Sequence, residues 1–189
     1  MNEGWIGAWS PGIGDPTVGG WLTVLLYVLA AWGCHAVLQS ARQGRILLEE
    51  NERTVWRLLF WAMVALGINK QLDLQSALTE LARMQAREQG WFEQRQRVQH
   101  AFIAAVPVVG LTALAALALL VWRAPVQTLW TCAGAAGLVV FVAIRAVSFH
   151  HIDEWLGWRL AGLPLNWILE MGSLVVIGSG ARSRVRVHT

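Results

Sequence analysis

An all-α, polytopic membrane helix bundle is the fold class that three features of the sequence predict. Hydrophobic residues fill 56% of the 189 positions and charged residues only 14%, whereas a soluble domain is roughly one quarter charged. Twelve tryptophans stand beside a single tyrosine, and tryptophan concentrates where a bilayer meets water. Apolar runs near the ~20 residues needed to cross the hydrocarbon also recur along the chain. The pI near 9.5 then reflects arginines sorted by membrane topology and not a nucleic-acid surface.

The elements follow in order. Residues 1–16 carry Glu3 and Asp15 but no Lys or Arg, so they do not read as a secretory signal, which needs a basic start. The glycines of G-I-G-D-P-T-V-G-G fit neither a Walker loop nor a dinucleotide fingerprint. The first span is placed at 21–39 and a short second one at 54–69. Clear spans follow at 101–122 and 128–149, and a fifth at 163–181 has Asn166 and Glu170 inside it. The expectation is therefore about five spans in one membrane domain covering 1–189, or four if the second only re-enters. Between spans two and three, segment 70–99 is rich in helix formers. Its Leu74, Leu78 and Leu81 recur at helical spacing opposite Asp73, Glu80 and Arg83, which predicts an amphipathic helix on the membrane surface or above the bundle. Ala133 and Gly137 form a small-x-x-x-small step suited to close helix packing. Cys34 and Cys132 lie in apolar runs and read as small core residues.

Orientation follows from the arginines. Arg42, Arg45, Arg53, Arg123 and the tail R-S-R-V-R gather on one side, with the acidic N-terminus opposite. The expected location is the inner membrane, N-terminus outside and C-terminus cytoplasmic.

With that topology, four segments deliver polar groups to the outer leaflet. Asn69, Lys70 and Asp73 close the second span and His100 opens the third. Arg145, Ser148, His150, His151, Asp153 and Glu154 close the fourth, and Asn166 and Glu170 open the fifth. Ionisable groups at membrane depth cost a few kcal/mol each and usually pair in the bundle interior or mark function. Helical spacing puts Arg145, Ser148 and His151 on one stripe and Asn166 with Glu170 on another.

Several chemistries fit this set. A membrane-embedded hydrolase or transferase on a lipid-linked or amphipathic substrate would use Ser148, His151, Asp73, Glu170 and Lys70 as catalytic groups. Arg145, Asn69 and Asn166 would then bind substrate. His150, His151 and Asp153 suit zinc by ligand type, though no fixed-spacing metal motif is present. A haem between His100 and His150 or His151 is the weaker cofactor alternative. The bland readings are histidines that merely end an amphipathic helix, and a structural Arg145–Glu170 ion pair. Two other functions stand beside the enzyme: a non-catalytic subunit docking a partner membrane protein through the polar cluster and the amphipathic helix, and a small transporter or proton relay. The lipid bilayer is the one partner common to all three.

Overall fold

A computed structural model of the chain describes residues 10, 12–72, 77, 80, 81, 84, 95–147, 159, 160 and 163–186. The described residues form five helices: α1 (Val18–Arg42), α2 (Glu50–Leu72), α3 (Arg95–Leu120), α4 (Val126–Val147) and α5 (Leu165–Arg186). The only extended pairing among them is a two-residue antiparallel bridge, Arg159–Leu160 against Leu163–Pro164.

Local chemistry sets the helix ends. Thr17 caps α1, its hydroxyl accepting from the Gly20 N–H at 3.1 Å and so satisfying one of the donors left open at a helix start. Asp15 holds that cap in place by accepting from the Thr17 hydroxyl at 2.6 Å and from its N–H at 3.2 Å. At the other end the chain reverses through Gly44, whose φ of 70° lies in the left-handed region that a side chain resists. The Arg45 N–H then returns to the Ser40 carbonyl at 2.9 Å. Glu50 and Glu52 occupy the first turn of α2, where the helix dipole favours acids. Pro107 lies inside α3 and leaves the Ile103 carbonyl without its i+4 donor.

α5 is the central element. It packs along α4 on one side and α1 on the other, α2 lies along α1, and α3 lies along α4. Leu174, Ile177 and Ala181 of α5 are fully buried against Cys34 and Val37 of α1 and Leu138 and Phe141 of α4. Close approach of α4 and α5 needs glycine. A Cβ on Gly134 would stand 2.8 Å from the Ser173 carbonyl oxygen, and one on Gly180 would stand 2.9 Å from that of Gln127 and collide with the Thr131 hydroxyl. The tight step expected at Ala133 and Gly137 is thus made by Gly134, Gly137 and Gly180, with Ala133 on the outer face. Both cysteines are free and buried, as the sequence suggested.

The expectation of about five spans is corrected. Among the described residues only α1 and Val126–Arg145 of α4 are long and apolar enough to cross a membrane. The apolar part of α3, Ala104–Leu120, is shorter. α2 carries Glu50, Glu52, Arg53, Arg57 and Lys70, and α5 carries Glu170 and three late arginines, Arg182, Arg184 and Arg186, so charge lowers the hydropathy of both. Most of segment 70–99 lies outside the described residues.

Candidate functional site

Two buried charge clusters bracket α5, one at each end. The first is built by α2, α5, α1 and the chain before α1. The Gly14 N–H donates to the Gln71 carbonyl at 2.6 Å, which lays the lead segment over the end of α2. Asp15 thereby comes within 3.7 Å of the Lys70 ammonium. Lys70 also donates to Glu170 Oε2 at 3.2 Å, and the Tyr27 hydroxyl donates to Glu170 Oε1 at 3.2 Å. Both carboxylate oxygens of Glu170 are occupied and its side chain is 6% exposed, against 15% for Lys70. Asp15 is held below its ordinary carboxyl range chiefly by the Thr17 hydroxyl, against partial burial, with the Lys70 charge adding to the effect. Beside this cluster both polar atoms of the Gln71 carboxamide are buried without a partner among the described residues, a rare condition for an amide.

The second cluster is at the opposite end of α5. Arg184 Nε donates to Glu52 Oε1 at 2.9 Å, and each side chain is 5% exposed. The Thr128 hydroxyl donates to the same oxygen at 2.6 Å, and the Trp56 indole reaches it at 3.4 Å. Arg184 also donates to the Leu47 carbonyl at 2.7 Å, closing the α1–α2 connection onto α5. Glu52 precedes the apolar run that begins at Val55. Burial pushes its carboxyl up, but the hydrogen bonds from Arg184 and Thr128 and the Arg184 charge outweigh this and hold it below its usual range.

The geometry of the pair of clusters is antiparallel and charge-swapped. α2 and α5 each give an acid near the start and a base near the end, so running antiparallel they set acid against base at both clusters. Glu170 and Arg184 are separated by about 21 Å at 1.5 Å per residue, and Glu52 and Lys70 by about 27 Å. These are lengths comparable to the ~30 Å of bilayer hydrocarbon.

No protein-family model matches the chain, and no curated protein or solved structure matches it significantly.

Of the residues singled out in the sequence, Lys70 and Glu170 are brought into direct contact. Asn69 is half-buried one position before Lys70. The Asn166 side chain accepts from the Trp167 N–H at 2.8 Å and is engaged in the start of α5. Arg145 sits in the last turn of α4 with an exposed side chain. The Arg145–Glu170 ion pair weighed as the bland alternative is not formed among the described residues: Lys70, reaching across from α2, takes that place. Asp73, Ser148, His150, His151 and Asp153 lie outside the described residues, as does the side chain of His100. Among the described residues no three His, Cys, Asp or Glu side chains group as metal ligands. The Glu52–Arg184 cluster was missed in the sequence, where Arg184 counted only as one of the topological arginines and Glu52 was given no role. Its signal was the i, i+4 step from Glu52 to Trp56, an acid and an indole donor on one face.

Proposed function

We propose that this chain is a multi-pass integral membrane protein acting as a non-catalytic, binding component of the membrane, its N-terminus outside and its C-terminus cytoplasmic. One observation carries the reading: the bundle is apolar outside and charged inside. Trp21, Leu25 and Trp32 of α1, Trp61 of α2, Leu111 and Leu119 of α3, and Trp130 of α4 are all exposed, Leu119 by 75%. Glu52, Glu170 and Arg184 are buried. A soluble monomer rarely exposes contiguous apolar surface on this scale, whereas lipid accepts it and drives charges to pair inward. The non-catalytic part rests on occupancy. Lys70 is held by two carboxylates and Glu170 by two donors, so neither is presented as a free acid or base, the state that proton transfer needs.

The second reading is a membrane-embedded hydrolase or transferase on a lipid-linked substrate. The convergence of Lys70 and Glu170 beside the Gln71 carboxamide, which has no partner among the described residues, favours it.

Two measurements test these readings. Alkaline carbonate washing of membranes should leave the protein in the pellet, and release into the wash would overturn the membrane assignment. Glu170→Gln should lower stability while leaving function per folded molecule within a few-fold. A loss of function beyond about a hundredfold in a fully folded variant, the scale of a lost acid or base, would favour the enzyme.

A further inference from the structure

We propose that the cleft between α2, α3 and α4 holds the chains of one phospholipid whose zwitterionic headgroup sits beside Arg123 and Glu49. The proposal rests on the membrane reading above and names a ligand for it. α2 and α3 touch only slightly, and the space between them, floored by α4, is a cleft of about 820 Å³. Leu58, Leu66, Val109, Leu114 and Val139 line it together with alanines and Gly110, and no lining residue is charged. Along α2 it runs from Val55 to Leu66, about 17 Å by helix rise, close to the ~15 Å that is half of a bilayer's hydrocarbon.

The cleft is not apolar at both ends. Leu120 at its edge also lines a second cavity, of about 830 Å³, that contains Glu49, Asn51, Glu52, Arg123 and Arg184. Glu52 and Arg184 neutralise each other. Among the described residues Arg123 and Glu49 have no ion-pair partner, so the mouth offers one free cation and one free anion. That pattern complements a phosphate and an ammonium on one headgroup. A headgroup with only a phosphate would leave Glu49 facing like charge, and a neutral glyceride would leave both charges unanswered. Trp122, 81% exposed at the rim, is the residue type that sits at headgroup level.

The test is native mass spectrometry of the full-length protein, purified in mild detergent and incubated with phosphatidylethanolamine or phosphatidylglycerol of the same chains. One phosphatidylethanolamine per chain is expected, preferred over phosphatidylglycerol. Arg123→Ala should weaken it about tenfold, the scale of one charge-assisted hydrogen bond, and Ala113→Trp should remove it by filling the cleft. If Ala113→Trp fails to fold, the rim variants Arg123→Ala and Glu49→Gln decide alone. No adduct, equal binding of the two lipids, an unchanged Arg123→Ala, or a protein dimer in place of the adduct would each overturn the proposal. A protein that stays in the carbonate-washed pellet yet takes no phospholipid sinks the lipid site alone, while one that washes out sinks the membrane reading.

Discussion

Glu52 and Arg184, 132 positions apart in the chain, meet at 2.9 Å in a pocket where each side chain is 5% exposed. This contact joins the start of α2 to the end of α5, two helices with little other contact. Lys70 and Glu170 join their opposite ends at 3.2 Å with the charges exchanged. A parallel arrangement would bring like charges together at both ends, so the pairing specifies direction as well as proximity.

The energetic signature of such a buried pair is asymmetric. Removing one partner strands the other charge and costs about 3–5 kcal/mol, whereas replacing both with apolar side chains is often neutral. Glu52→Leu alone and Arg184→Met alone should therefore each lower unfolding stability in detergent by that amount, and the double variant should recover most of it. A double variant as unstable as the sum of the singles would count against the pair as described.

Acid should act on the same residue. The Glu52 carboxyl is held below its usual range in the folded chain. A depressed folded pKa gives stability that is present above the unfolded value, 4.5, and lost as pH falls through the folded one. Stability should be flat in this respect from neutral pH down to that value and drop below it. Glu52→Gln should flatten the acid limb, seen as a smaller loss of thermal stability on acidification than in the wild type.

At the other cluster the two partners are unequal. If Glu170 is neutralised, Lys70 keeps Asp15 at 3.7 Å. If Lys70 is neutralised, Glu170 keeps only the Tyr27 hydroxyl as a partner among those described. Lys70→Met should thus destabilise more than Glu170→Gln in chemical unfolding, because a half-satisfied buried carboxylate is the costlier remnant. The reverse order would mean that Lys70, and not Glu170, is the group that needs its partner.

Glycines on α5 should separate by what they face. A Cβ on Gly180 meets the Thr131 hydroxyl and the Gln127 carbonyl, whereas one on Gly178 meets nothing within 4 Å. Gly180→Ala should cost about 1–3 kcal/mol through overpacking. Gly178→Ala should be neutral or gain up to about 1 kcal/mol from helix propensity. Equal effects at the two positions would contradict the close α4–α5 contact.

Much of the architecture was legible because apolar runs mark helices regardless of their surroundings. The expected span at 21–39 falls inside α1, and the described part of that at 128–149 falls inside α4. Lys70 and Glu170 were legible for a related reason: a charge inside an apolar run must find a partner, and these two were at the same predicted end. Arg145 satisfied that logic equally well on paper, and only three-dimensional reach decides for Lys70. Glu52 and Arg184 were harder to read because they lie outside the apolar runs, where charges are usually solvated and arginine counts carry topology without identity, so that only the Glu52–Trp56 step pointed to them. The charges that lower the apolarity of α2 and α5 include the four that form the two clusters, beside exposed ones such as Glu50 and Arg57.

The double clamp between α2 and α5 is tested most directly by exchanging charges across it. Glu52→Arg and Arg184→Glu should each destabilise the detergent-solubilised protein in reversible unfolding. Together they should restore a large part of the loss, because the attraction is re-formed with its sign exchanged. A combined variant no more stable than the sum of its singles would contradict the clamp.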